Sequence, residues 1–272
     1  MNLVLTNNDQ IGGKVMTTKS LFDLSGRVAV VTGASSGLGV QMAKALALHG
    51  ADIAVLARRK EKLDQVSEEI KSMGVKCIAV KCDVTDTESV KAAVNEVVSE
   101  LGTVDIVVNN AGTGGTGPTE ETTDENLEHT LSVDVSGVFK VAREFGKVML
   151  EKKYGRIINI ASIYGMVGNM ALPSAAYHTA KGAVVNFTRA LASEWGQHNI
   201  TVNSICPGYF ETELTGDTLN TETFTQYMQA HVPVGRYGKT GELDSTVVYL
   251  SSNASAYVNG VILPVDGGYT AI

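Results

Sequence analysis

The chain has 272 residues and a formal net charge of −7, with 44% apolar and 19% charged residues. This size and composition are typical of a globular protein with one α/β domain, and they exclude a largely disordered chain. Because an acidic surface repels phosphate backbones, we expect no nucleic-acid partner.

The first 22 residues are predicted to form a polar arm, and residues 23–272 to form the folded domain. The arm has one short apolar stretch, Leu3–Leu5, with no positive charge before it, so it does not resemble a signal peptide. Met16 is an alternative start. No run approaches the ~18 apolar residues that span a bilayer, so we expect no membrane partner. A sparse, odd set of cysteines without zinc or redox spacing suits a reducing cytoplasm: Cys77, Cys82 and Cys206.

Short apolar runs alternate with amphipathic segments from Arg27 onward. Most runs are continuously apolar, as in parallel strands that are buried on both faces. We predict strands at Val28–Val31, Ile53–Ala57, Cys77–Val80, Ile106–Val108, Ile157–Ile160, Ile200–Ile205 and Val261–Val265. Helical periodicity predicts helices at Lys60–Met73, Asp86–Leu101 and Asn126–Lys152. Thr85 and Glu88 predict a capping box at the second of these helices. The alternation predicts an α/β fold, a doubly wound sheet with helices on both faces.

The first strand ends in the sequence TGASSGLG, residues 32–39, and leads into a helix. Gly33 would allow a tight turn, while Gly37 and Gly39 would let the backbone approach a pyrophosphate and let the helix pack on the sheet. Free N–H groups at the helix start would hold the phosphates. At the first strand–helix junction of a parallel fold, this pattern predicts a dinucleotide site. Its residues would be Gly33, Ser35, Ser36, Gly37, Leu38 and Gly39.

The end of the second strand distinguishes NAD from NADP. An NAD site usually places an acidic residue there, on the ribose 2′-hydroxyl. Here Ala57 is followed by Arg58, Arg59 and Lys60, so no carboxylate would repel a 2′-phosphate. A planar guanidinium suits such a phosphate well. We therefore predict NADP(H) as the cofactor, with Arg58 as the first contact and Arg59 as the second.

The segment AAYHTAKGAVVNFTRALASEW, residues 175–195, is predicted to form a long helix. Tyr177 and Lys181 are four residues apart and therefore share one face of it. A lysine ammonium beside a tyrosine favours the phenolate and brings the phenol closer to useful acid–base range. Ser162 follows the fifth strand and would hydrogen-bond the substrate oxygen. Together with the glycine turn, these residues predict hydride transfer to or from a carbonyl or alcohol carbon.

Sequence motifs over residues 22–270 resemble those of the short-chain dehydrogenase/reductase family. They are TGASSGLG at 32–39, CDV at 82–84, NNAG at 109–112, Ser162, Tyr177 with Lys181, PGYFET at 207–212 and VDGG at 265–268. The resemblance implies one Rossmann-type domain with a seven-stranded parallel sheet, assembled as a homotetramer or homodimer. It also implies that Tyr177 is the general acid/base, that Ser162 orients the carbonyl and that Lys181 holds the nicotinamide ribose.

The same resemblance implies a set of cofactor contacts beyond the glycine turn. Asp83 would meet the adenine and Asn110 the ribose region, while Pro207, Gly208 and Thr212 would contact the nicotinamide end. The remaining implied contacts are Val84, Ala111, Gly112 and Phe210.

Asp134 departs from the family pattern. Many members carry an asparagine at this position, five residues before Phe139, where it supports a proton relay through water. An ionised carboxylate accepts hydrogen bonds but does not donate them. We hypothesise that Asp134 keeps the relay role, either by holding a relay water or by pairing with Lys181.

A substrate loop is predicted at about residues 209–238, because the polar stretch Glu211–Gly238 interrupts the strand–helix rhythm. Tyr164, Met166 and Tyr209 are candidate walls of the substrate site. The spacing of Ser162 and Tyr177, Asp134 and the ending DGGYT resemble the polyol and ketose branch of the family. That branch includes mannitol 2-dehydrogenase, sorbose reductase and xylulose reductase, and gluconate 5-dehydrogenase is a neighbour.

Charge favours a neutral, small-molecule substrate. A sugar acid would need a cation near the site, but the stretch TGGTGPTEETT after NNAG has none and adds two glutamates. His231, Arg236 and Lys239 of the predicted loop would reverse this expectation if they fold inward. His178 is expected to face away from Tyr177. No metal is expected, because the histidines lack ligand spacing and the nicotinamide carries the hydride chemistry.

Two other functions remain open at this point. A 3-oxoacyl carrier-protein reductase shares these motifs, but its acidic carrier demands a basic patch that this acidic chain does not obviously have. A non-catalytic NADP-binding sensor on the same fold could dispense with the tyrosine or the lysine, whereas this chain retains both.

Overall fold

The computed structural model describes residues 21–169, 172–212, 219 and 221–272, with the backbone of 10–11 and 14–15. Its parallel strands are β1 Val28–Thr32, β2 Asp52–Ala57, β3 Cys77–Lys81, β4 Ile106–Asn109, β5 Gly155–Ile160, β6 Ile200–Pro207 and β7 Ile262–Val265. Its helices are α1 Gly37–Leu48, α2 Lys60–Lys71, α3 Thr87–Leu101, α4 Asp124–Leu131, α5 Val138–Lys152, α6 Ala175–Trp195, α7 Glu222–His231 and α8 Asp244–Ser251. The predicted doubly wound, seven-stranded parallel fold is confirmed.

The sheet is buried on both faces, which explains its continuously apolar strands. All five residues of β1 are buried. Ala29 and Val31 pack in one core with residues of α1, α2 and α8. Val28 and Val30 pack in a second core with residues of α3, α5 and α6. Helices therefore cover both faces, as the sequence pattern predicts.

The strands lie in the order β3-β2-β1-β4-β5-β6-β7. Successive strands are added on one side of β1 as far as β3, and on its other side from β4 onward, so the order of addition reverses between β1 and β4. Val31 of β1 pairs with Val55 of β2 on one side and with Val108 of β4 on the other. In such sheets, ligands bind in the crevice at the carboxyl ends of the strands, where the order reverses. The segments that follow β1, β4, β5 and β6 meet at this edge, and they carry most of the predicted site.

Asp134 lies in a π-helical turn, Ser132–Gly137, that separates α4 from α5. The sequence predicts one continuous helix over Asn126–Lys152, and this prediction is wrong in that detail. A π turn adds one residue to a helical turn, a change that periodicity does not reveal, and such turns are frequent at functional sites. The turn fully buries the Asp134 side chain.

The capping box predicted from Thr85 is also wrong. The N-cap of α3 is Asp86, whose carboxylate accepts the N–H groups of Glu88 and Ser89 at 3.0 and 3.3 Å. The Thr85 hydroxyl donates instead to Asp83 at 2.7 Å. The Asp86 carboxylate, one residue after Thr85, thus accepts two free N–H groups at the start of the helix. The sequence predicts this capping role for Thr85.

The predicted arm and the predicted substrate loop are described in part. In the arm, Gln10–Ile11 pairs with Lys14–Val15 in antiparallel fashion, and Met16 lies outside the described residues. Within the loop, α7 begins after the N-cap Thr221, while residues 213–218 and 220 lie outside the described residues. The predicted helix over residues 175–195 agrees with α6. Among the helices that the structure describes, none has both the length and the hydropathy to cross a bilayer.

Candidate active site

The turn after β1 packs two glycines, Gly33 and Gly39, against the NNAG segment. Gly33 has φ +65° and Gly37 has φ +59°, values that favour glycine. A Cβ at Gly33 would lie 2.8 Å from Ala111 Cα, and a Cβ at Gly39 would lie 2.6 Å from the Gly33 carbonyl oxygen. Real Cβ atoms do not approach so closely, so the turn and α1 require glycine at these positions.

The start of α1 leaves N–H groups available to an anion. Its N-cap, Ser36, makes no side-chain capping hydrogen bond, and the first turn of α1 has no acidic residue. The first N–H groups of a helix have no partner within the helix and carry partial positive charge. This arrangement fits a dinucleotide pyrophosphate at Gly37–Gly39.

Asn110 braces the glycine turn. Its side-chain amide donates to the carbonyl oxygens of Thr32 and Gly33 at 3.0 and 3.3 Å. The Thr32 hydroxyl accepts the backbone N–H groups of Asn110 and Ala111, both at 3.0 Å. The resemblance places Asn110 beside the cofactor ribose, and that contact stays a prediction. The sequence reasoning missed Thr32, which ties β1 to the NNAG segment.

The two arginines after β2 have different neighbours. Arg59 Nη2 donates to the hydroxyl groups of Ser35 and Ser36 at 3.0 and 3.2 Å. Arg58 is near enough to Asp83 for its charge to act on that carboxyl group. Arg59, predicted as the second cofactor contact, therefore lies against the glycine turn.

Asp83 follows β3 and is held in its ionised form. The Thr85 hydroxyl and backbone N–H both donate to Asp83 Oδ1, at 2.7 and 2.9 Å. Burial opposes the charge, but these hydrogen bonds and the charges of Arg58 and Lys140 outweigh burial and lower the pKa of Asp83. The neighbouring Val84 is buried in the second core.

Tyr177, Lys181 and Asp134 form a compact group on α6 and the π turn. Lys181 Nζ lies 5.4 Å from the centre of the Tyr177 ring and 3.2 Å from Asp134 Oδ2. It also donates to the Ile160 carbonyl oxygen at 3.2 Å. Asp134 Oδ1 accepts the Thr113 N–H at 2.7 Å. Of the two arrangements hypothesised for Asp134, the structure shows direct pairing with Lys181.

The Lys181–Asp134 pair is buried, with 6% and 0% of the two side chains exposed. A Cβ at Gly112 would lie 3.3 Å from Lys181 Nζ and 3.4 Å from Asp134 Oδ2, so the NNAG segment closes over the pair. Burial opposes the charge of Lys181, but Tyr177 and Asp134 outweigh burial and raise the pKa of Lys181. The ammonium is therefore retained beside the Tyr177 phenol at neutral pH.

Tyr164 connects Ser162 to Tyr177. Its backbone N–H donates to Ser162 Oγ at 3.2 Å, and its ring meets the Tyr177 ring edge-on at 6.1 Å. The turn Ile163–Gly165 also packs on α6, because a Cβ at Gly165 would lie 2.6 Å from the Lys181 carbonyl oxygen. These contacts bring the serine after β5 to the same end of α6 as the tyrosine.

The segment Pro207–Thr212 leads from the end of β6 to the glycine turn. The Thr212 Cβ lies 3.6 Å from the position that a Cβ would take at Gly37. The Phe210 side chain is buried in the core, with Gly238 against its ring. A cofactor contact by Phe210 would therefore involve its backbone.

The candidate cations of the predicted loop do not fold inward. Arg236 is exposed, and its two terminal nitrogens donate to Glu242 at 2.7 and 2.8 Å. Lys239 and His231 are exposed as well, and the His231 ring stacks on Tyr227 at 4.2 Å. These three side chains therefore give no reason to expect an anionic substrate instead of a neutral one.

Two cavities border the residues of the candidate active site. A cavity of about 800 Å³ lies beside the glycine turn, and its wall includes Ser35, Ser36, Gly37 and Thr212. A cavity of about 400 Å³ lies at the start of α6, between the loop after NNAG and α4. The second cavity is lined by Thr113, Gly114, Gly115, Thr116, Gly117, Pro118, Glu121, Thr122, Asn126, His129, Thr130, Ser174, Ala175 and Ala176. In the described ranges, no cluster of three or more histidine, cysteine, aspartate or glutamate side chains could hold a metal ion.

A protein-family model described as enoyl-(acyl carrier protein) reductase matches residues 33–270. Gluconate 5-dehydrogenase of Gluconobacter oxydans is 39% identical over 256 residues, which are 94% of this chain and 99% of the relative. The chain belongs to the short-chain dehydrogenase/reductase family. Members of this family are NAD(P)-dependent oxidoreductases that act on CH–OH groups, and this chain is such an enzyme.

Two further members are similar over almost their whole length. Galactitol 2-dehydrogenase (L-tagatose-forming) of Cereibacter sphaeroides is 36% identical, over 94% of this chain and 99% of that relative. The crystal structure of a gluconate 5-dehydrogenase from Burkholderia cenocepacia, in complex with NADP and tartrate, has a TM-score of 0.90 and 33% identity. It covers 94% of this chain and 100% of that chain.

The sequence reasoning missed part of the aromatic surroundings of this dehydrogenase site. Tyr209 meets Phe224, Tyr227 and Tyr269 edge-on, at ring distances of 5.2, 6.1 and 5.7 Å. The His178 ring stacks on Tyr164 at 4.4 Å. These residues lie far apart in the sequence, and only their aromatic character offered a signal.

Proposed function

We propose that the enzyme is an NADP(H)-dependent oxidoreductase that interconverts a ketone and a secondary alcohol on a neutral, polyhydroxylated small molecule. The cavity at the start of α6 supports this proposal. It adjoins the Lys181–Asp134 pair through Thr113, its wall is rich in hydroxyl groups, and Glu121 and His129 are the ionisable side chains among its lining residues. A carboxylate substrate would meet no lysine or arginine there.

The glycine turn and Arg59 support the choice of NADP(H). The guanidinium of Arg59 and the hydroxyl groups of Ser35 and Ser36 lie together, and they form a donor set that suits the three oxygens of a phosphate. β2 ends at Ala57 without the carboxylate that an NAD site would use. Arg58 and Asp83 would then lie along the adenosine part of the cofactor.

The proposed chemistry assigns one task to each polar residue of the site. Bound NADPH would supply the hydride. The Ser162 hydroxyl would orient the carbonyl oxygen, and the Tyr177 phenol would donate the proton that this oxygen receives. The Lys181 ammonium would stabilise the phenolate that remains, and Asp134 would hold the ammonium in place. In the oxidative direction, the Tyr177 phenolate would accept the alcohol proton.

A panel of NADPH-oxidation assays tests the substrate class. We expect turnover of fructose, sorbose or xylulose to exceed turnover of 5-keto-D-gluconate and of an acetoacetyl thioester. The Tyr177→Phe variant should lose about two to four orders of magnitude in kcat, the usual contribution of a general acid. Undiminished turnover in that variant would support a non-catalytic role, and a better rate with NADH throughout would contradict the cofactor proposal.

A sugar acid is the second candidate substrate, because two of the similar proteins are gluconate 5-dehydrogenases. The galactitol 2-dehydrogenase relative supports the neutral alternative. Higher kcat/KM for 5-keto-D-gluconate than for every neutral ketose would decide for the sugar acid, and a dominant thioester activity would decide for the carrier-protein reductase.

We propose a homotetramer or homodimer joined through α5 and α6, whose outer faces carry Phe139 and Phe187 with ring centres 5.4 Å apart. Light scattering on the purified protein tests this assembly, and a monomer at micromolar concentration would contradict it.

A cytoplasmic location is supported by free, buried cysteines, and burial raises the pKa of both Cys77 and Cys82 to about 11.

A further inference from the structure

Five polar side chains from separate segments form a connected group beside the catalytic helix, here called the phenol network. They are Tyr164, Asn169, Tyr209, Tyr227 and Tyr269. The Tyr164 and Tyr209 hydroxyl oxygens are 2.8 Å apart, and those of Tyr227 and Tyr269 are 3.2 Å apart. Asn169 joins the two pairs, since its amide nitrogen donates to Tyr164 at 2.6 Å and its carbonyl oxygen accepts from Tyr227 at 3.4 Å.

One end of the phenol network touches both proposed catalytic residues. Tyr164 donates its backbone N–H to Ser162 Oγ, and its ring lies edge-on to the Tyr177 ring. The other face of the Tyr164 ring is occupied by His178, whose ring is nearly parallel, with an angle of 10° between the planes. His178 is itself held, because its Nδ1 lies 2.8 Å from the Ser174 carbonyl oxygen. Tyr164 therefore cannot shift without disturbing Ser162 or Tyr177.

The other end of the phenol network holds α7 and the C-terminal turn. α7 has ten residues, and helices of this length are marginal in water unless they pack against the rest of the protein. Tyr227 of α7 packs on Tyr209 and shares a hydrogen bond with Tyr269 of the turn Tyr269–Ala271. The position of α7 is thus linked to the position of Tyr209, and through Tyr209 to Tyr164.

Three phenols of the network, those of Tyr164, Tyr209 and Tyr269, have raised pKa values. Burial raises the pKa of Tyr164 and Tyr209 above the ordinary tyrosine value, and burial together with Tyr227 raises the pKa of Tyr269 to about 12. Neutral phenols both donate and accept hydrogen bonds, so the hydrogen bonds of these three side chains persist at neutral pH.

We propose that Tyr227 and Tyr269 are positioning residues for the reaction, and that they act through Tyr209 and Tyr164 on Ser162 and Tyr177. This inference rests on the proposed function. In the enzyme, hydrogen bonds and ring contacts join the helix of the substrate loop to the catalytic pair, so that placement of α7 and alignment of the proton donor are coupled. A substrate that seats α7 correctly would also align Ser162 and Tyr177.

Removal of single hydroxyl groups tests the coupling. Tyr227→Phe and Tyr164→Phe keep the rings and remove one hydrogen-bonding group each. We expect each variant to lower kcat/KM about three- to tenfold, as for the loss of one neutral hydrogen bond, with part of the loss in kcat. The double variant should lose no more than the stronger single variant, because both changes break the same connection. Tyr257→Phe, at a fully exposed tyrosine, is the matched control.

Two outcomes would overturn the proposal. The first is a Tyr227→Phe variant whose kcat and KM equal those of Tyr257→Phe. The second is a double variant whose fold-loss in kcat/KM equals the product of the two single-variant losses. Tyr227→Phe should raise KM and lower kcat together, whereas a purely structural role would lower the melting temperature and leave both constants unchanged.

Hydrogen exchange separates this inference from the proposed function. Followed by mass spectrometry on the protein without substrate, it measures opening of α7 and of the turn Ile163–Gly165 separately. We expect Tyr227→Phe to speed exchange about three- to tenfold in both segments, and Tyr257→Phe in neither. Faster exchange in α7 alone would refute the coupling, whichever substrates the enzyme turns over.

Discussion

We propose that single side chains decide which nicotinamide cofactor the enzyme prefers. Arg59, rather than Arg58, shares the glycine turn with the Ser35 and Ser36 hydroxyl groups. A guanidinium with two hydroxyl groups gains most from the dianionic 2′-phosphate, which NADH lacks. The sequence suggests Arg58 as the first contact and Arg59 as the second, and this order stays a prediction that the following substitutions test.

Replacing Arg59 by Gln should raise KM for NADPH by roughly 10- to 100-fold, because hydrogen bonds to a charged group contribute about 1.5–3 kcal/mol. KM for NADH should change less than threefold. The matched control, Arg58→Gln, removes the same charge one residue away and should have a smaller effect with NADPH. Initial rates with both coenzymes measure these changes, and equal losses with NADH and NADPH would contradict the assignment.

The buried pair Lys181–Asp134 predicts a change in pH dependence. The pKa of Lys181 is raised, so its ammonium persists at neutral pH and is lost only as pH rises through that raised value. Asp134→Asn removes a cause of the raised pKa while the burial that lowers it remains. The alkaline limb of the kcat/KM profile should therefore move to lower pH. Glu121→Gln, which removes a carboxylate from the cavity wall, is the control, and an unshifted Asp134→Asn profile would refute the pairing role.

The sequence predicts the residues of this site better than their partners. Spacing places Tyr177 and Lys181 on one helix face, and the glycine pattern places Gly33 and Gly39 at the turn. Neither spacing nor composition reveals that Arg59 reaches Ser35 or that Asn110 holds Thr32, because such contacts join segments far apart in the chain. Pairing across the sheet becomes known only when the strand order is known.

At the scale of elements, close helix packing depends on a few small residues. Gly146 of α5 lies under the ring of Trp195 at the end of α6, and a Cβ there would overlap the ring. A Cβ at Gly182, within α6, would meet the Gly165 carbonyl oxygen at 3.9 Å and nothing closer outside its own helix. The position of Gly146 therefore has no room for a side chain, whereas the position of Gly182 has room for one.

Gly146→Ala should lower the free energy of unfolding by about 1–3 kcal/mol, because Trp195 must shift in a packed core. Gly182→Ala should leave it unchanged or raise it by up to about 1 kcal/mol, because alanine is the better helix former. Urea unfolding followed by circular dichroism measures both. Equal stability of the two variants would show that Trp195 adapts without cost.

The boundaries of the elements show what periodicity can and cannot predict. The strands and α6 follow from continuous apolar runs and from a clean helical pattern. The break between α4 and α5 does not, because a π turn adds one residue to a helical turn without ending the helix, and it buries the Asp134 side chain. α7 is likewise hidden in a polar segment, since it packs through Phe224, Tyr227 and the buried Met228 rather than through a periodic stripe of aliphatic residues.

At the scale of the whole molecule, the two edges of the sheet carry different polar groups. The carboxyl edge carries the glycine turn and the catalytic residues, whereas the amino edge carries a cluster around Tyr154. Arg27 and Arg156 lie over the Tyr154 ring at 4.0 and 4.6 Å from its centre. We therefore expect function and stability to depend on polar groups at opposite ends of the strands.

Asp105, directly before β4, joins this cluster to the sheet and provides the test of that separation. Its Oδ1 accepts from Arg27 at 3.2 Å and from Lys152 at 2.7 Å, and its Oδ2 accepts the Val28 N–H at 2.9 Å. Asp105 itself is 4% exposed. Asp105→Asn keeps the shape but leaves two cations without their counter-charge.

We expect Asp105→Asn to lower the free energy of unfolding by about 2–4 kcal/mol. This loss is near the lower end of the range for broken buried ion pairs, because both cations are partly exposed to solvent. Asp64→Asn, which removes an exposed partner of Lys60 on α2, is the control and should cost less than about 0.5 kcal/mol. In folded Asp105→Asn protein, kcat/KM should stay within twofold of the parent value, because no contact of Asp105 reaches the carboxyl edge. A large loss of turnover at temperatures where this variant is fully folded would mean that the two edges are coupled, and that the amino edge supports catalysis as well as stability.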